Sequence, residues 1–326
     1  MTHSGCLVIS LDFEMMWGNL ERWTLDGYGK TNVNNVRLVI DRMLSLFEKY
    51  HVHATFATVG LLMHENKAEA VDSQPEIKPS YINNCLSPYA NNYMGSIEDK
   101  NAYLYFAPDV IKKLSIRDGI EMATHTYCHY FCWEDGQTID QFEADLKKAV
   151  EVAKKRGLSF KSIIFPRNNV SDEYLERCCK YGITSYRGNP KRYFEKKTGL
   201  ARKWMRIGRF FDNYLNLGNK TSYKEPEMHS GVLNIPASRM LRPYSMKLQL
   251  LEPLRLRRIK NELKYAAKHN EIYHIWWHPH NFGANMDKNM VFLEEVLKCY
   301  SDCQKKYGMS SLTMNEVNNE YCKNGE

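Results

Sequence analysis

The sequence predicts an α/β fold built on a parallel sheet or barrel, and two observations carry that expectation. Apolar or β-branched runs suited to buried strands alternate with stretches of helical periodicity. The polar residues with chemical potential follow the ends of those runs, where parallel α/β folds gather their active sites.

In chain order, residues 6–11 (Cys-Leu-Val-Ile-Ser-Leu) are almost continuously apolar, as expected of a strand covered on both faces, and they run into Asp12 and Glu14. Residues 33–50 read as a helix with Asn34 or Asn35 as its cap, and 54–60 as a second strand, completing a βαβ unit. Residues 65–105 lose all periodicity, and so long a connection reads as a lid or binding loop. A helix start at 108–114 precedes a short strand, 120–124, which delivers His125 and His129. An amphipathic helix spans 138–156 and stops at Gly157. Strand 162–165 leads to Pro166-Arg167-Asn168-Asn169, and helix 172–180 to strand-like 182–186. Residues 187–243 are irregular and basic, and 253–268 form a helix rich in Lys and Arg. Strand 271–277 ends at His278-Pro279-His280-Asn281, followed by helix 289–307 and a short strand within 308–313.

With 326 residues, 43% hydrophobic and 25% charged, the chain has the composition of a globular protein able to bury a large core. One barrel can use this length as a single domain, 1–326, with an inserted loop at about 64–107 and a basic region at about 187–268. Nine cysteines without framework spacing read as reduced thiols. The amino terminus lacks the pattern of a signal peptide, and no window approaches a membrane span, so a cytoplasmic location is expected. The net charge of +7 is concentrated in the basic region, as a local patch toward an anionic partner. No nucleic-acid-binding module accompanies it.

His125 and His129, four apart, can turn both imidazoles onto one divalent ion. The third ligand is expected from Asp12 or Glu14, two apart at a strand end and so on one face, leaving the other acid for proton chemistry. Cys128 and Cys132, interleaved with the histidines, raise the rival of a structural Cys/His zinc site, although Cys178-Cys179 is a poor second pair.

Taken in order, Ser-Leu-Asp-Phe-Glu (10–14), Ala-Thr-Phe (54–56), His125-Thr126-x-x-His129, Phe165-Pro166-Arg167 and Ile275-Trp276-Trp277-His278 resemble the motifs of the polysaccharide deacetylase family of carbohydrate esterases. The resemblance spans roughly 7–281. It implies a distorted (β/α)7 barrel, TIM-barrel-like, and removal of N- or O-acetyl groups from sugars with a divalent metal, zinc first and Co, Ni, Mn or Fe as alternatives. It also implies Glu14, His125 and His129 as ligands, Asp12 as general base, Arg167 as the partner that orients Asp12, and His278 as general acid. His280 and His274 compete for the acid role, with His274 expected deeper in the core. Two departures stand out: Phe13 separates acids that many members have adjacent, and Asn168-Asn169 follow the arginine where many have proline and tyrosine.

Trp17, Asn168, His280 and Asn281 are the candidate substrate contacts. Trp23, Tyr28, Tyr81, Tyr89, Tyr93, Tyr103 and Tyr105 are aromatic faces for a sugar or packing for loops. Arg187, Lys191, Arg192, Arg202, Lys203, Arg206 and Arg209 suit the phosphate of a nucleotide- or lipid-linked sugar. Helix 253–268 either packs on the barrel or touches an anionic membrane peripherally. The expected function is deacetylation of an acetamido sugar in surface polysaccharide or glycolipid assembly. The alternatives are a carbohydrate-binding barrel with a structural metal, or a hydrolase of another linear or cyclic amide.

Overall fold

The structure, a computed structural model, describes residues 4–189, 214 and 220–323. Its centre is β1 (Cys6–Phe13), every residue of which is buried. Parallel partners flank it: β2 (Ala54–Thr58) on one side and β9 (Ile272–Trp277) on the other, while β10 (Ser310–Leu312) pairs with its first half. From β2 the sheet continues through β3 (Ile120–Thr124), β4 (Ser162–Ile163) and β5 (Ser185–Tyr186), all parallel. β6 (Glu227–His229) is an antiparallel rim strand on β7 (Val232–Asn234), and β8 (Arg239–Met240) lies beside β9.

The sheet curls because one segment serves both of its far edges. Leu233, Ile235 and Ala237 donate backbone N–H groups to Thr184, Tyr186 and Gly188 on the β5 side. Ser238 and Leu241 then donate to His274 and Trp276 on the β9 side. Counting β7–β8 as one wall, seven parallel staves enclose the interior, which is the (β/α)7-type fold. Helices α1 (Val36–Lys49), α2 (Lys67–Asp72), α3 (Pro108–Ser115), α4 (Ile139–Lys155), α5 (Asp172–Lys180), α6 (Glu252–His269) and α7 (Met286–Tyr307) lie in the connections. Helix α8 (Met314–Lys323) ends the described chain: Met314 N and Asn315 N donate to Thr55 Oγ1 and Glu121 Oε2 at the amino ends of β2 and β3.

The strong periodic stretches of the sequence fold as expected. Helix α4 begins with a reciprocal capping box between Thr138 and Gln141. Several local details differ. Asn35 precedes α1 without capping it, and its amide group donates to Gly283 O. Strands β4 and β5 are two residues each, and residues 65–105 contain α2 and two 3₁₀ turns, Asn84–Leu86 and Asp99–Leu104. All nine cysteines are free thiols. No helix among the described residues is long and apolar enough to cross a membrane.

Candidate metal centre and active site

Elements from three places around the barrel meet at its carboxyl end. Asp12 is the penultimate residue of β1 and Glu14 the first beyond it, both under 5% exposed. His125 and His129 come from the loop after β3, and His278 from the end of β9. Glu14 Oε1 lies 3.0 Å from His125 Nε2, 3.2 Å from His129 Nε2 and 3.4 Å from His278 Nε2. His278 Nε2 is also 3.7 Å from Asp12 Oδ2.

The β3–α4 loop reaches this geometry through positive φ at Thr126 (65°) and His129 (63°). Such conformations are uncommon outside glycine and need support. Thr126 Oγ1 donates to His125 O and accepts from Tyr130 N. From the inner face of α4, fully buried Asp145 accepts the N–H groups of Tyr127 at 2.7 Å and Cys128 at 3.1 Å. Burial pushes the Asp145 carboxyl up to about 6, against the hydrogen bonds it accepts.

The donor set suits a cation. His125 Nδ1 bonds Ile164 O at 2.7 Å, so in the neutral ring Nε2 presents a lone pair toward the Glu14 oxygen. The Nε2 of His129 points to the same oxygen, and its Nδ1 is buried with no hydrogen-bond partner. Electron pairs converging in a buried site require positive charge between them, whether protons or a metal. Two imidazoles and one carboxylate are the ligand number of an open, catalytic type of site. Ligand atoms of Glu14, His125 and His129, and of Asp12, Glu14 and His278, each lie within 4.8 Å of one another. Neither grouping includes a cysteine. Cys128 and Cys132 are packed in the hydrophobic core, which removes the structural Cys/His alternative.

One pairing expected from the sequence is corrected. Asp12 is held by Arg187, at the end of β5, with Nη1–Oδ1 at 2.6 Å and Nη2–Oδ2 at 2.7 Å. Arg187 is 1% exposed, donates also to Ser10 Oγ and Asn168 Oδ1, and lies over the Trp276 ring at 4.1 Å. Arg167 has a positive φ of 58°, pairs with Glu134 and covers the Phe131 ring, leaving it at the cavity rim and away from Asp12. Burial alone would raise the Asp12 carboxyl, but the charges of Arg187, His278 and His125 outweigh it and hold it below the usual carboxylate range. Glu14 is likewise held well below its usual value by His278, His129 and the bonds from His125, despite burial. Burial depresses His278, but Glu14 and Asp12 more than compensate and raise it.

A cavity of about 310 Å³ opens above these groups. Asn168, His280 and Asn281 line it, as do Trp23, Trp276 and Phe131. Trp17 does not line it: it is 1% exposed and its indole N–H bonds Tyr105 O, so it packs the loops down. Tyr81, Tyr89, Tyr93 and Tyr105 also go into packing, while Trp23, stacked on Tyr28 with centroids 4.4 Å apart, is the aromatic wall. His274 lies under the site, bonded to Ser10 Oγ and Ile235 O, and burial pushes it down to about 3. His280 is also pushed down to about 3 by burial and by His278, so it faces the cavity neutral. His278 Nδ1 meets the Asn281 amide at 3.3 Å, and Tyr28 donates to Asn281 Oδ1 at 2.7 Å, which orients that amide. The sequence reads Arg187 as part of a basic patch and gives Trp276 no substrate role. Strand alternation offered a signal for Trp276, which shares a face with His274 and His278. Lys191, Arg192, Arg202, Lys203, Arg206 and Arg209 lie outside the described residues.

A curled seven-stave barrel with a carboxylate–imidazole cluster at its carboxyl end has the makings of a hydrolase, and the comparisons place the fold. Residues 26–186 match the family described as polysaccharide deacetylase, and the chain belongs to that family. Members are generally metal-dependent hydrolases. The matched stretch holds His125, His129 and Arg167. Asp12, Glu14, Arg187 and His278 lie outside it and join the site through the fold. Among solved structures, the chain is similar to one from Mycobacterium smegmatis assigned to the polysaccharide deacetylases, with 12% identity, 99% of this chain and 92% of that one covered, and a TM-score of 0.63. It is similar to another so assigned from Pseudomonas aeruginosa PAO1, with 13% identity, coverage of 98% and 91%, and a TM-score of 0.56. It is also similar to PuuE allantoinase, with 11% identity, coverage of 99% and 92%, and a TM-score of 0.55. At such identities the likeness establishes the fold. No curated protein sequence matches the chain.

Proposed function

We propose that this protein is a metal-dependent hydrolase that removes an acetyl group, from nitrogen or oxygen, on a sugar destined for surface polysaccharide or glycolipid. In this reading the whole chain is one catalytic domain acting in the cytoplasm. The observation that carries it is the convergence of three imidazole nitrogens on Glu14 Oε1 beside an Asp12 locked by Arg187.

Glu14, His125 and His129 would hold the divalent ion, for which zinc fits the ligand set best. When bound, the ion polarises the acyl carbonyl and makes water acidic enough to attack at neutral pH. Asp12, kept ionised by Arg187, takes the proton of the attacking water. His278, whose affinity for a proton is raised by the two acids beneath it, delivers a proton to the leaving nitrogen. Asn281, its amide held by Tyr28, meets Nδ1 of His278 and so sets the orientation of the ring with Nε2 on the side of Asp12 and Glu14; as general acid the ring starts doubly protonated and ends neutral. Trp23 and Trp276 flank the sugar ring, and neutral His280 and Asn168 contact its polar substituents.

Acetate release from a panel of N- and O-acetylated sugars, with and without chelator, tests the reading. Chelator-sensitive release is expected. His278→Ala should slow turnover by roughly two orders of magnitude with metal stoichiometry unchanged. Loss of bound metal in that variant would move His278 into the ligand set. Absence of acetate from every substrate, with sugar affinity undisturbed in Asp12→Asn, would favour a carbohydrate-binding barrel.

A further inference from the structure

The chain leaves β8 at Leu241, whose N–H bonds Trp276 O, and so emerges level with the catalytic end of the barrel. It then turns through Met246–Leu251 into α6. The inner face of α6 packs on the core through Ile259, Leu263, Ala266 and Ala267. The outer face is unusual in two respects.

First, apolar side chains project from the end nearest the site. Leu250 is 88% exposed, Met246 51% and Leu254 41%. Second, the charge around them has one sign. Residues 242–268 carry eight Lys and Arg and two acids, and both acids are committed: Glu252 to Arg255, and Glu262 to Arg239 and Arg258. At helical spacing, the outward stripe reads Leu250, Leu254, Arg257, Asn261, Lys264 and Lys268, all exposed and without an acid. No anionic partner of Arg257, Lys264 or Lys268 occurs among the described residues.

Apolar tips set in a one-sign field of cations match a bilayer surface, whose anionic headgroups meet the cations and whose acyl boundary takes the leucines. A protein partner large enough for this face would bring acids of its own and would be met better by a mixed rim. We infer that Met246–Leu254 and the outer stripe of α6 form a docking surface for an anionic lipid bilayer. Docking here holds the barrel with its catalytic end beside the headgroups. Resting on the deacetylase reading, this makes a sugar carried on a lipid the substrate class reached from the docked state.

Vesicle co-sedimentation of the full chain tests the surface independently of any activity. The probes are phosphatidylcholine vesicles with and without phosphatidylglycerol. Binding should require phosphatidylglycerol and weaken with salt. Leu250→Asp with Leu254→Asp should lower it by roughly tenfold or more, and Arg257→Glu or Lys264→Glu by roughly fivefold each. Lys305→Glu, on α7, should leave it unchanged. Thermal melts should coincide, because every substituted side chain is exposed. Equal binding to neutral vesicles, no binding to either kind, or indifference to the leucine substitutions would overturn the inference. So would a concentration-dependent dimer, by light scattering, that the Leu250 and Leu254 substitutions dissolve. Docking without acetate release would retain this inference and sink the deacetylase reading.

Discussion

At the scale of single residues, the Asp12–Arg187 pair dominates the energetics of the site. Both partners are under 5% exposed and share two hydrogen bonds, so removing the guanidinium strands a buried carboxylate. Arg187→Gln should cost about 3–5 kcal/mol in denaturant unfolding and let the Asp12 carboxyl rise toward protonation. Arg167→Gln, which breaks a partly exposed pair with Glu134, should cost about 1 kcal/mol or less. Equal costs would contradict the assignment. Gly18 makes a second residue-scale point. A Cβ there would fall 2.0 Å from Glu14 Oε2, and the carboxylate cannot yield without leaving the imidazoles. Gly18→Ala should therefore weaken metal binding by an order of magnitude or more in a chelator-competition titration, with unfolding nearly unaffected.

The element that makes the site possible is the loop between β3 and α4. Between its two positive-φ residues, Thr126 and His129, the N–H groups of Tyr127 and Cys128 are held by one acid, Asp145, reaching up from the helix that follows. An asparagine there keeps only one acceptor oxygen for two N–H groups. Asp145→Asn should cost about 1–3 kcal/mol and lower metal affinity with it, whereas Asp140→Asn, in the first turn of the same helix, should do neither. Helix α4 was legible from its capping residues and apolar spacing, and the two histidines from their own spacing. The brace carried a fainter signal: an aspartate on the face that Phe142, Leu146, Ala149 and Ala153 bury. An acid in such company demands a partner, and the sequence does not say which.

Across the whole molecule, the strands legible in the sequence are the apolar or β-branched runs at β1 to β5, β9 and β10, together with the helices between them. The short strands β6 to β8, inside the irregular stretch 187–243, have no periodicity to read, because their pairing is decided by neighbours distant in sequence. For the same reason Arg187 was indistinguishable from surface arginines, since only closure of the barrel puts it over Trp276. Closure also brings the two ends of the chain together. His53, at the start of β2, bonds Glu316 of α8 at 2.8 Å, each about 38% exposed. The bond to Glu316 outweighs partial burial and raises His53 above 6.5, and His53 and Thr313 hold Glu316 below 4.5. The raised histidine contributes stability below 6.5 that fades as pH rises through its folded value. The depressed acid contributes above 4.5 and is lost as pH falls below it. Glu316→Gln should therefore lower stability most between about pH 4.5 and 6.5, by about 1 kcal/mol or less, and little at pH 9. A melting-temperature difference that grows toward pH 9 would contradict the pairing.

The stretch from Val232 to Leu241 looks by composition like a loop, with Pro236 and small residues at its middle, yet it is the mortar between two edges of the sheet. A loop accepts an extra residue by bulging into solvent, but this stretch is tied to Thr184, Tyr186 and Gly188 through Leu233, Ile235 and Ala237, and to His274 and Trp276 through Ser238 and Leu241. One residue added or removed between Asn234 and Ser238 would shift one set of ties against the other and tilt Arg187 relative to His278. Length variation among relatives should therefore collect in residues 65–105 and avoid this decapeptide, and circular permutation opened here should fail where a break near Asn91 succeeds.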